Sequence, residues 1–144
     1  MLNITIICCG TLKEQYLKDA VKEYEKRLSA FCKLNINEIK EDTINASYNA
    51  VNSFKGCKIA LCIEGKMLSS EDLAEKINTL AIGGQSNIAF IIGGSEGISD
   101  EIKNMCDIKL SFSKMPFPHQ LMRVILLEQI YRAFTIINHK QYHK

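Results

Sequence analysis

The feature that most constrains this chain is a change of hydrophobic period, repeated from one end to the other. Short β-rich apolar runs alternate with stretches whose apolar residues recur every three to four positions. The first run, Leu2–Cys9, closes at Gly10. Tyr16, Leu17, Ala20, Val21, Tyr24 and Leu28 then mark one face of a helix over 13–30. Lys33–Lys40 alternates apolar and polar residues as a half-exposed strand does, and Asn45–Phe54 carries a weaker helical signal. Lys58–Ile63 reads as a buried strand ended by Glu64-Gly65. Ser69, with Asp72 three residues on, has the spacing of a capping box and opens a helix to about Ile82. Asn87–Ile92 is a further buried strand, and Ser99 caps a short helix with Asp100 and Glu101 in its first turn, where the helix dipole favours negative charge. Asp107–Phe112 is the fifth strand and 119–137 the longest helix. Strands that alternate with helices pair side by side in parallel, and such a sheet must be covered on both faces. The prediction is an α/β fold, a mainly parallel sheet with helices on both faces, in one domain spanning residues 1–144.

Composition removes several function classes. With 47% hydrophobic and 24% charged residues the chain has the balance of a packed globule, not of a disordered segment. No apolar run approaches the ~20 residues of a membrane span, and MLNITIICCG lacks the basic segment of an export signal. The expected location is the cytoplasm. Six cysteines show no C-x-x-C pair and no histidine cluster, so reduced thiols are expected and no metal site.

The last helix is apolar on most of its circumference, from Leu121 and Met122 through Ile125 to Ile136 and Ile137. A helix apolar all round must be buried all round, and a chain this short does not supply two covering layers. A homodimer is the physical expectation. The same end is basic: residues 114–144 hold Lys114, Arg123, Arg132, Lys140 and Lys144 against Glu128 alone, and all three histidines, although the whole chain carries only +2. A basic end on a near-neutral body suits an anionic partner, nucleic acid first.

Two segments have the make-up of binding loops. Ile91-Ile92-Gly93-Gly94-Ser95-Glu96-Gly97-Ile98-Ser99 joins a strand to a helix cap, at the strand end where parallel sheets hold ligands. It is neither a dinucleotide fingerprint nor a Walker loop. Ser113–His119 follows the next strand, stiffened by Pro116 and Pro118. Together they make two walls of a cleft. On the last helix His119 and Arg123 are four apart, and Glu128 and Arg132 have the spacing of a helical ion pair.

Four strings in this order, Phe90–Gly97, Leu110–His119, Arg123–Ala133 and Tyr142-His143-Lys144, together with Ile59–Lys66, resemble the ribosomal RNA large subunit methyltransferase H (RlmH) family of the SPOUT superfamily across the whole chain. The resemblance implies a C-terminal trefoil knot and a homodimer whose active site draws on both subunits. It implies transfer of a methyl group from S-adenosyl-L-methionine (SAM) to N3 of a pseudouridine in large-subunit ribosomal RNA, with the free subunit or the assembled ribosome as partner. Position by position it makes Leu61, Gly94, Ser113, Lys114, Met115, Pro116, Phe117 and Pro118 the cofactor contacts, and His119, Arg132, Tyr142 and His143 the catalytic or RNA-side residues. Pro116 stands where the family is expected to carry Thr, Gln141 where many members have Pro, and Glu41–Cys57 is shorter than expected. His119 and His143 are both of the type that takes or orients a proton near neutral pH, and Arg132 of the type that stabilises an anion.

Two other classes compete. A non-catalytic RNA-binding protein of the ribosome would use the same basic end but has no need of a glycine cleft beside it. A nucleotide-binding regulatory domain would place Lys or Arg at the glycine loop, where this chain has Ser95, Glu96 and Asp100.

Overall fold

Strands β1 (Asn3–Cys9), β2 (Lys33–Ile39), β3 (Cys57–Met67), β4 (Asn87–Ile91) and β5 (Ile108–Ser111) form one sheet in the order β2-β1-β4-β3-β5 in the computed structural model, which describes residues 1–144. Every pairing is parallel. The expected mainly parallel sheet is therefore parallel throughout. Central β1 and β4 are almost wholly buried, whereas edge strand β2 alternates as its sequence does.

Five helices intervene: α1 (Gln15–Leu28), α2 (Ile44–Ser53), α3 (Ser70–Ile82), α4 (Asp100–Met105) and α5 (His119–Ile137). Three begin at the cap their sequence provides. Thr43 accepts the Ala46 N–H and Ser99 the Ile102 N–H, and Ser69 with Asp72 closes the expected capping box. Because alternate β1 side chains point to opposite faces, the sheet has two cores. Ile4, Ile6 and Cys8 face a large core shared with α1, α3 and α5, which also holds Leu17, Ile77, Leu126 and Phe134. Ile7 faces a smaller one with Val51 of α2 and Ile102 of α4. No helix is long and apolar enough to cross a membrane.

Two expectations are corrected. Glu64-Gly65 does not end β3: the strand runs on to Met67, and its register against β5 jumps so that both Leu61 and Lys66 face Leu110. The glycine serves an irregular close approach, since a Cβ there would lie 2.7–2.8 Å from the Lys109 and Leu110 backbone. The second correction concerns the basic end. Arg123 is only 1% exposed; it donates to Glu38 Oε2 at 2.7 Å and to the carbonyls of Cys9 and Gly10 at 3.2 Å each. It rivets α5 to the C-terminal ends of β1 and β2 and offers no face to a partner. The apolarity of α5 divides in the same way. Leu126, Leu127, Ile130, Ala133 and Phe134 are buried within the chain, while Leu121 stays 37% exposed.

Candidate functional site

The chain leaves β4 through Ile92 into a tight glycine turn. Gly97 takes φ +75° and its N–H donates to the Gly94 carbonyl at 3.0 Å. A Cβ on Gly93 would lie 2.6 Å from the Gly97 backbone, so only bare backbone fits there. The loop after β5 is fixed differently. Ser111 Oγ donates to the Ser113 carbonyl and Ser113 Oγ accepts the Met115 N–H, both at 3.0 Å, and the two prolines carry the chain rigidly into α5. Pro118 is the N-cap residue, one place before the expected first helical position.

Between these loops, at the C-terminal ends of β3, β4 and β5, lies a cleft of about 550 Å³. Its floor is apolar, built by Leu61, Ile92, Leu110, Phe112 and Met122, and one wall is the glycine-loop backbone. Of the residues expected there, Leu61, Gly94, Ser113, Met115, Pro116, Phe117, Pro118 and His119 line it, and Lys114 does not. Because β3 runs on past Ile63, Glu64 comes to the rim of the cleft, and Lys103 of α4 also lines the cleft and pairs with Glu64. That pairing holds the Glu64 carboxyl below its ordinary pKa and the Lys103 ammonium above its own. Glu64 and the cleft's only lysine thus neutralise each other, and Glu96 leaves the cleft with an acidic character suited to a cation. No group of three or more His, Cys, Asp or Glu side chains gathers to hold a metal.

The glycine at 94 has a different reason from the one its position suggests. A Cβ there would meet Asp42 Oδ1 at 2.0 Å and Cys9 Sγ at 3.1 Å, and neither residue lines the cleft.

Arg132, Tyr142 and His143 come together elsewhere. Glu128 accepts from Arg132 Nε at 3.1 Å and Nη2 at 3.3 Å, and from the Tyr142 hydroxyl at 2.7 Å. Arg132 Nη1 reaches His143 Nδ1 at 3.0 Å, and His143 Nε2 pairs with Glu71 at the start of α3. The Tyr142 ring stands edge-on to Tyr131 at 4.8 Å with the Arg132 guanidinium over it at 4.9 Å. The hydrogen bond to Glu128, with burial, pushes the Tyr142 phenol up to about 12. The tail is docked, not frayed. Yet α5 from His119 to Arg132 is roughly 20 Å at about 1.5 Å per residue, so one chain does not carry both groups in one site. Between the two ends runs a second hollow of about 340 Å³, lined by Leu68, Leu73, Phe112, Phe117 and Ile125 and sharing Phe112 and Phe117 with the cleft.

Comparison with known proteins gives the chain a family and a shared fold. A family described as "Predicted SPOUT methyltransferase" matches residues 2–143. The ribosomal RNA large subunit methyltransferase H of Clostridium novyi is 54% identical over 159 aligned residues, covering 99% of this chain and all of the relative. That of Clostridium kluyveri is 48% identical over the same span. An alignment of 159 positions against 144 residues opens gaps in this chain. Among solved structures, a probable methylase family protein from Haemophilus influenzae Rd KW20 superposes with a TM-score of 0.62 at 15% identity, over 98% of this chain and 70% of that one. A Legionella pneumophila protein in complex with the bound cofactor SAM does so with a TM-score of 0.50 at 13% identity, over 92% and 66%. The structures establish the shared fold, and the sequence relatives the lineage: this chain belongs to the SPOUT methyltransferases, in the ribosomal RNA large subunit methyltransferase H family.

Proposed function

We propose that the chain methylates N3 of a pseudouridine in large-subunit ribosomal RNA, with SAM held in the cleft between the glycine loop and Ser113–Pro118. The observation that carries this reading is the meeting of those two loops, from the C-terminal ends of β4 and β5 on either side of β3, around an apolar, acid-rimmed cleft. Its residues fit the cofactor: an aliphatic floor for a flat base, those backbone groups of Gly93–Gly97 that the Gly97–Gly94 and Ser95–Asp42 bonds leave open, and the Glu96 carboxylate for a cationic ligand. When bound, SAM supplies an electrophilic methyl group on a cationic sulfur. The chain's own contribution is alignment, because in-line transfer to nitrogen depends chiefly on the two reactants being held in register. Glu96 favours the cation. Pro116 and Pro118 keep their loop extended without an entropy loss on binding. With Pro at 116 the loop lacks an N–H at that position, so its polar contacts fall to Ser113 and the backbone around it.

The imide proton must leave N3, and His119 at the cleft, or His143 in the tail once released from Arg132 and Glu71, is of the type to act as base or orienter. Arg132 is suited to stabilise the anion that forms. The roughly 20 Å along α5 argues that these groups are united across a homodimer, one subunit's tail facing the other's cleft. The apolar hollow at Leu68, Phe117 and Ile125 is the surface we assign to that contact. A trefoil knot formed by the segments after β4 and β5, and a place in the cytoplasm beside the ribosome, belong to the same reading.

Calorimetry with SAM and, separately, ATP tests the cleft: binding of SAM alone is expected. Single-turnover transfer from labelled SAM onto ribosomes lacking the modification, with the methylated nucleoside identified after digestion, tests the substrate. Methyl incorporation at any other atom would overturn the N3 assignment.

A further inference from the structure

Gly94 poses a question that its backbone does not answer. Its φ is not in the left-handed region, where Gly10, Gly56, Gly84 and Gly97 lie, so conformation does not require glycine there. Space does. The volume a Cβ would fill is taken by the carboxylate of Asp42, which reaches in from the loop between β2 and α2. Both Asp42 oxygens accept the Ser95 N–H, at 3.2 Å each. The contacts with the Ser95 hydroxyl and amide, with His119 and Cys9 nearby, hold the carboxyl below its ordinary pKa, so it is the anion that grips the loop at neutral pH.

We infer that Asp42, which does not itself line the cleft, is a positioning residue for the glycine loop: it fixes the Ser95 amide from behind and so presents the Gly93–Gly97 backbone to the cofactor. The inference rests on the SAM reading above and deepens it. Three features converge on it. The residue comes from the far side of the sheet order, on the loop that follows β2, and ties it to the loop that follows β4. Its approach is possible only because position 94 lacks a side chain. And its neighbour Thr43 caps α2 independently, so Asp42 is not needed to begin that helix. Loops are ordinarily the least ordered parts of a fold, and a loop whose bare backbone is the binding surface needs an external hold to be ordered before ligand arrives.

The test compares wild type with Asp42→Ala, which removes the acceptor, and Asp42→Asn, which keeps an oxygen in place without the charge. Calorimetry with SAM is expected to show about tenfold weaker binding for the alanine variant, and a loss within about threefold for asparagine. In turnover assays the loss is expected in the KM for SAM, with kcat near wild type once SAM saturates. Amide hydrogen exchange at Ser95 in the free protein is expected to quicken in Asp42→Ala and to be restored in Asp42→Asn, with melting temperatures of all three within a few degrees. Equal SAM affinity in the three proteins, or asparagine failing to rescue, would overturn the inference. If wild type itself fails to bind SAM, the function proposed above falls instead. The Ser95 exchange comparison still decides whether Asp42 holds the loop.

Discussion

Replacing Arg123 by Met removes the one charged side chain sealed inside the fold and keeps a flexible apolar stem of similar reach. The cost can be assembled from its contacts. The carbonyls of Cys9 and Gly10 each lose a charge-assisted donor, at about 1.5 kcal/mol apiece. The ion pair with Glu38 adds only about 1 kcal/mol, because the Glu38 side chain is 37% exposed and regains water when released. Against this, Arg123 Nε is buried without a partner, and deleting it returns about 1 kcal/mol. The net is about 3 kcal/mol, or a fall in Tm of about 10 °C at roughly 3–4 °C per kcal/mol for a chain of this size. Glu38→Gln, which keeps an acceptor oxygen, is expected to cost about 1 kcal/mol. Arg123→Lys is expected to fall between them, since one compact ammonium does not span three acceptors. Urea denaturation followed by circular dichroism measures all three. An Arg123→Met protein within 1 kcal/mol of wild type would refute the view that this residue rivets α5 to the sheet.

Ile125→Asp is expected to yield a folded monomer by sedimentation with its helical circular dichroism intact, because Ile125 lines the outer hollow, whereas Ile136 packs against the core. Deleting Tyr142–Lys144 is expected to lower stability by about 1–2 kcal/mol through loss of the Tyr131 and Arg132 contacts with the Tyr142 ring, and to abolish methyl transfer while SAM affinity holds. Tyr142 has a raised pKa, so its contribution is complete below the ordinary tyrosine range near ~10 and is lost as pH climbs toward about 12. Tyr142→Phe should therefore flatten that alkaline limb of the stability profile, read by chemical denaturation at a series of pH values.

Elements whose signal is local were readable from residues alone. The capping box at Ser69 and Asp72, the N-cap at Ser99 and the bounds of α5 depend on neighbours within a turn or two, and the structure has them in place. The two loops of the cleft were readable for the same reason: their glycines and prolines declare backbone behaviour directly. What escaped was long-range. Gly65 looks like a terminator until β5 arrives beside it, and nothing near Arg123 in sequence announces Glu38 or the ends of β1. Asp42 and Ser95 are likewise far apart in the chain. Charge counting failed in a related way. It treated Arg123 and Arg132 as a free basic surface, although one is buried and the other shares Glu128 with Tyr142.

The strand order carries a kinetic consequence for a ribosome making this chain. β1 emerges first and finds β2 soon, but its other neighbour, β4, pairs Asn3 with Asn87, and β3 waits for Ile108 to meet Ile59. The Arg123 contacts to Cys9 and Gly10 come later still. Until β4 is out, one hydrogen-bonding edge of β1 is open and the apolar faces around Ile4 and Ile6 lack most of their cover. Contacts this distant in sequence must meet the entropy of closing large loops before they return any stability, which slows folding. The nascent chain therefore carries an unsealed half-sheet until β4 is made, and completes its sheet and cleft only after β5 and α5 have followed.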